Sequence, residues 1–140
     1  MKRTISVPGP ADRVYEYIED FSNASEWDPG LVVSERLDAG EIGVGSRFRI
    51  VARFWGRDLE TVYELTDRDP PLRVTFVGGT DRFTSTDVIS VTDRGDEVTV
   101  DYRAIFELSG ILRIIEPFLK GTFESLADDA VAGLERVLSS

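Results

Sequence analysis

The sequence contains no cysteine and no histidine. The first absence excludes disulfides, thiolate nucleophiles and cysteine-ligated zinc. The second removes the commonest general base and metal ligand, and with them every Ser-His-Asp or Cys-His triad. Lysine is nearly missing as well: only Lys2 and Lys120 occur, so arginine carries the basic charge. No run approaches the ~18 apolar residues of a membrane span, and stable membrane insertion is not expected. The stretch Met1–Val7 is basic but runs into Pro8-Gly9-Pro10 without the apolar core of a secretory signal, so a cytoplasmic location is expected.

Positive charge is outnumbered: 16 Lys and Arg face 26 Asp and Glu, for a net charge of −10. Such a surface repels phosphate backbones, and nucleic acid is not an expected partner. The acidic pairs Asp67/Asp69 and Asp128/Asp129 read as turn residues or solvated faces rather than metal ligands. Gly40-x-x-Gly43-x-Gly45 is followed by strand-like sequence instead of a helix, so it is not a phosphate loop. No metal and no cofactor are expected.

What is present suits one folded unit. The 140 residues, 41% of them hydrophobic, support a single domain with its own core over residues 1–140. Thr4–Val7 reads as a short strand stopped by Pro8-Gly9-Pro10, with Pro10 placed to start a helix. Val14, Tyr15, Tyr17, Ile18 and Phe21 recur at three- and four-residue spacing and predict an amphipathic helix over 11–20. A second short helical turn is predicted over 22–26, and Trp27-Asp28-Pro29-Gly30 reads as a turn. Alternating stretches follow over 31–37, 46–54, 58–66, 72–77, 82–91 and 97–108. Asp67–Pro71 reads as a loop and Gly78-Gly79 as a turn or bulge. A long helix is predicted from about Leu112 to Leu138, with Pro117 marking a kink or a start nearer Glu116. These elements describe an α+β fold: a curved antiparallel sheet of about seven strands around a long C-terminal helix, with two short helices after the first strand.

Several segments carry a resemblance. Val7-Pro8-Gly9-Pro10-Ala11-Asp12-Arg13-Val14-Tyr15, Asp20-Phe21 through Trp27-Asp28-Pro29-Gly30, Gly43-Val44-Gly45-Ser46-Arg47-Phe48, and Tyr63-Glu64-Leu65 with Asp69-Pro70-Pro71 occur in this order. The chain thereby resembles the START-like (SRPBCC) superfamily and, within it, the bacterial polyketide cyclase/dehydrase-like proteins. The resemblance implies the helix-grip fold and a cavity that takes hydrophobic molecules such as polyketides, lipids or other aromatic-like compounds. Some relatives so implied are cyclases, aromatases or dehydratases, and others bind or transport lipids.

On this fold, alternation assigns Phe48, Ile50, Ala52, Leu59, Thr61, Val74, Phe76, Phe83, Ser85, Ala104 and Phe106 to the cavity wall. Leu119, Phe123, Leu126 and Ala127 close it from the helix. Each apolar residue among them is equally at home as ordinary core. Asp87 shares its strand face with Phe83, Ser85 and Ile89. A carboxylate there would be raised in pKa and fit for acid–base work, whereas a bulge near Gly78-Gly79 would turn it outward. Tyr63 and Tyr102 are the hydroxyl donors of the same wall. Trp27 reads as a structural plug, and Trp55 at a hairpin tip as a gate or an exposed contact residue. The Arg47, Arg49 and Arg53 stripe faces outward, toward Glu60 and Glu64.

Three functions are compatible with these features. The first is a binding protein for a small hydrophobic molecule, favoured by the missing histidine and cysteine. The second is a cyclase, aromatase or dehydratase that uses Asp87 with Tyr63 or Tyr102. The third is a protein-interaction or stress-response module. The oligomeric state, monomer or homodimer, stays open.

Overall fold

The computed structural model describes all residues from Met1 to Ser140. The elements are, in chain order, β1 (Lys2–Val7), α1 (Ala11–Glu19), a 3-10 turn (Phe21–Asn23), α2 (Ala24–Trp27), β2 (Leu31–Arg36), β3 (Arg47–Phe54), β4 (Arg57–Asp69), β5 (Arg73–Gly79), β6 (Phe83–Asp93), β7 (Val98–Leu108) and α3 (Ile111–Leu138). The strands form one seven-stranded sheet in the order β1-β7-β6-β5-β4-β3-β2. Every pairing is antiparallel. Strands β2 to β7 form a meander, while α1 and α2 carry the chain from the β1 edge to the β2 edge. This is the helix-grip architecture: a curled sheet closed by one long helix.

The inner face of the sheet is read from the register. Phe48, Tyr63, Gly78, Ser85 and Phe106 form one row across five strands. Leu65, Phe76, Asp87 and Ala104 form the next. These rows hold because the side-chain period of each strand is two, so one correct pairing fixes the face of all its residues. Gly78 and Gly79 lie inside β5 and not in a turn; a Cβ on Gly78 would stand 2.7 Å from the Tyr63 ring. The bulge is instead between Leu65 and Asp67. It carries β4 on to Asp69, through the segment that polar composition had marked as a loop. Beyond the bulge Arg68 reaches Glu19 at the end of α1, 2.7 Å away, and fastens that helix to the sheet.

The core follows from α1, the 3-10 turn and α2 lying on this face. Phe21 stacks on Phe76 at 4.3 Å between ring centroids and meets Phe48 edge-on at 6.1 Å. Trp27 is buried and meets Phe21 and Tyr102 edge-on. Helix α3 packs its second half here through Ala130, Val131 and Leu134. At Gly133 it comes so close that a Cβ would lie 1.8 Å from the Trp27 carbonyl oxygen. The first half of α3 behaves differently. It begins at Ile111 and runs through Pro117. Ile111, Ile114 and Phe118 are exposed, Phe118 to 84%.

On the outer face, Arg49 bridges Glu35 and Glu60, and Arg53 pairs with Asp58. Arg47 stands across from Glu64 in the register but forms no ion pair with it.

Candidate functional site

Asp87 points inward and is buried in the middle of the second row. Its Oδ2 accepts a hydrogen bond of 2.5 Å from the Tyr102 hydroxyl, and its Oδ1 accepts one of 3.3 Å from Ser85. Strand geometry explains the group. Ser85 is two residues away on the same strand and so shares the face. Tyr102 is the diagonal neighbour on β7, within reach of a long aromatic side chain. Burial pushes the Asp87 carboxyl up to about 6 against the two hydrogen bonds, and the charge of Asp28 adds to the rise. Burial and the Asp87 charge in turn hold the Tyr102 phenol well above its ordinary range. Burial does the same for Tyr63, with Asp87 again contributing.

Asp28 is the second acid of this interior. It ends α2, and its Oδ1 accepts from the Gly30 backbone N–H at 2.9 Å. Burial raises its pKa to about 6, opposed by that hydrogen bond and helped by Asp129 of α3. Two carboxylates with raised pKa therefore share one enclosed region with two phenols. Such a set can hold or pass a proton near neutrality without histidine.

A groove of about 730 Å³ opens between β7 and the first half of α3. Its walls include Ala104, Phe106 and Phe123, and its rim Arg103, Arg113, Glu116 and Lys120. Asp87, Tyr63 and Tyr102 do not line it, but Ala104 in its wall is the direct register partner of Asp87. An aromatic stack runs from the groove wall to the tip of the β3–β4 hairpin. Phe106 lies on Phe123 at 4.8 Å, Phe123 on Phe54 at 6.1 Å, and Phe54 on Trp55 at 4.8 Å. Trp55 is 70% exposed and, with φ of 51°, takes a left-handed conformation ahead of Gly56 in the tight β3–β4 turn. Two positive φ values are what such a two-residue hairpin turn demands, and tryptophan is an unusual occupant.

The residues singled out from sequence divide into three groups. Asp87, Ser85, Tyr102 and Tyr63 come together, with Thr61 buried two residues before Tyr63 on β4. Ala104, Phe106 and Phe123 form the groove wall. Phe48, Ile50, Val74 and Phe76 are packed in the core, with Phe21 filling the space in front of Phe48 and Phe76. Leu119 is buried, while Ala52, Phe83, Leu126 and Ala127 are half-buried. Leu59 is on the inner phase of β4 but 40% exposed, since it lies near the open end of the β3–β4 hairpin. Asp28 and the basic rim were not singled out. Aspartate before Pro-Gly is an ordinary turn residue, and nothing local in the sequence tells that this turn faces inward.

Residues 1–139 match the model of the family described as polyketide cyclase / dehydrase and lipid transport, and the chain belongs to that family. No curated protein matches it. Among solved structures, it is similar to a Thermus thermophilus protein at TM-score 0.78 and 20% identity, covering 97% of this chain and 94% of that one. A START superfamily protein from Mycobacterium smegmatis superposes at TM-score 0.74 with 15% identity, covering 99% and 95%. The Zhui aromatase/cyclase from Streptomyces sp. R1128 does so at 0.75 with 14% identity, covering 99% and 92%. At these identities the likeness concerns the fold.

Proposed function

We propose that the protein binds a small hydrophobic molecule in the groove between β7 and α3, with one end of the molecule approaching Asp87. The observation that carries this reading is the opening itself: about 730 Å³ walled by Ala104, Phe106 and Phe123, one residue layer from a buried acid. That volume falls within the ~300–1,000 Å³ of ordinary small-molecule sites. The aromatic stack continues from Phe106 and Phe123 in the wall to Phe54 and exposed Trp55, extending the apolar surface beyond the groove. Thermal unfolding in the presence of apolar aromatic and alkyl compounds tests the reading, since a ligand at ~100 times its Kd stabilises by about 2.7 kcal/mol. The expected outcome is a dose-dependent rise in Tm that Phe123→Asp abolishes. A flat response across both compound classes would remove it.

A second reading is favoured by the acid–phenol group and by the family: proton transfer on the bound molecule, of the cyclase or dehydratase type. Asp87 is the acid–base residue here, and Tyr102 or Tyr63 donates a hydrogen bond to a ligand carbonyl. A ligand that displaces water from Asp87 raises its pKa further and makes it an acid at neutral pH. In Asp87→Asn, turnover of a β-hydroxy ketone substrate is expected to fall at least a hundredfold while binding persists. Equal turnover in the variant would leave binding as the whole function.

A further inference from the structure

We propose that the groove selects amphiphiles carrying an oxyanion head, carboxylate or phosphate monoester, held at its rim by Arg103, Arg113 and Lys120. This rests on the hydrophobic-ligand reading and adds the chemistry of the head group. The chain has a net charge of −10, yet three cations and a single acid, Glu116, border the groove. None of the three takes part in an ion pair, so each is available to an anion. Their placement is a product of the fold. Arg113, Pro117 and Lys120 follow the three- and four-residue spacing of one helix side, which α3 turns toward β7. Arg103 lies on β7 at the groove edge, opposite Lys2 in register, so it starts from the face of the strand that alternates with Ala104 and Phe106 and reaches the rim around the edge left open beyond β1.

The sheet edge supports the same assignment. Met1 and Ala104 exchange both backbone hydrogen bonds, and β1 pairing ends there. Phe106, two residues on, directs its N–H to the same edge with no strand opposite, and its side chain lines the groove. An anion at the rim thus meets three side-chain cations and an open backbone donor. Deeper in, Asp28 and Asp87 repel it. The charge distribution therefore orients the ligand: head at the rim, apolar body over Phe106 and Phe123, and uncharged end toward Asp87.

Calorimetric titration of the whole protein with dodecanoate, dodecyl phosphate and dodecanol, at low salt and below micelle formation, tests this. Dodecanoate, dodecyl phosphate or both are expected to bind about tenfold more tightly than dodecanol, from the summed worth of three exposed ion pairs. The stronger of the two names the head group. The R103Q/R113Q/K120Q variant is expected to keep dodecanol affinity and lose the preference. All three positions are exposed, so unchanged Tm serves as the control for folding. Equal affinity for all three compounds in the wild type, or a preference that survives in the variant, overturns the head-group assignment alone. No binding of any of them overturns the hydrophobic-ligand reading with it.

Discussion

Asp87 is costly to the fold where it stands. Its pKa of about 6 exceeds that of a free aspartate, so the native state binds its proton more tightly than the unfolded chain does. Below pH ~4 both states are protonated and the residue costs nothing. Stability falls as the pH rises through the window between ~4 and ~6, and the loss is complete above it. Asparagine keeps the acceptor for Tyr102 and adds a donor toward Ser85. Asp87→Asn is therefore expected to match the wild type at pH 4 and to exceed it by about 3 kcal/mol at pH 7. Thermal unfolding across that pH range measures it; a pH-independent difference between the two proteins would contradict the burial of the charge. An acid retained at this expense, and tied to a phenol, is what a binding or proton-transfer site calls for. Its inward placement was half legible in the sequence. Alternation with Phe83, Ser85 and Ile89 pointed inward, but the position of the bulge decided the matter, and bulges leave little trace in a sequence. The bulge falls after Leu65, away from the glycines, so the register of β5 on β6 holds through Asp87. Asp28 was not legible, because its burial depends on α3 returning to cover a turn more than ninety residues earlier in the chain.

Among the elements, α3 is two helices in function if not in backbone. The apolar stripe legible in the sequence, from Leu119 to Val137, is the docking face, and its second half supplies the buried Ala130, Val131 and Leu134. The first two turns carry Ile111, Ile114 and Phe118 on a mostly exposed side, so hydrophobicity alone misrepresents their burial. Leu134→Ala is expected to cost about 3 kcal/mol by cavity formation, and Phe118→Ser under about 0.5 kcal/mol. Urea unfolding of both variants checks the contrast, and a comparable loss in Phe118→Ser would mean that the first half packs on something. A loosely seated first half is also the arrangement a groove needs. The wall formed by Arg113, Pro117, Lys120 and Phe123 can shift without disturbing the core around Trp27 and Gly133. The β3–β4 hairpin was readable from the alternation of Phe48, Ile50, Ala52 and Phe54. The strain on Trp55 was not, since a positive φ at a non-glycine residue follows from the two-residue turn and not from the residue itself.

For the molecule as a whole, the architecture was the most legible level. Seven alternating stretches between turn residues, followed by one long amphipathic stripe, leave few alternatives to a sheet closed by a helix. What the sequence could not supply was how full the interior is. Phe21 reads as the last apolar residue of α1, but it packs on Phe48 and Phe76, and that part of the expected wall becomes solid core together with Ile50 and Val74. The free space moves to the β7 side, where charge at the rim replaces an all-apolar lining.

The placement of β1 beside β7 has a temporal side. Lys2 pairs with Arg103 and Val7 with Val98, so the first strand made is completed by the last one made. During synthesis from the N-terminus, β1 leaves the ribosome without a hydrogen-bonding partner and waits for nearly the entire meander to follow. Its closure brings together residues about a hundred positions apart, the slow class of contact. The edge of the groove at Ala104 is set in that same step. Ligand competence is thus acquired at the end of folding, and an incomplete chain has no site to fill.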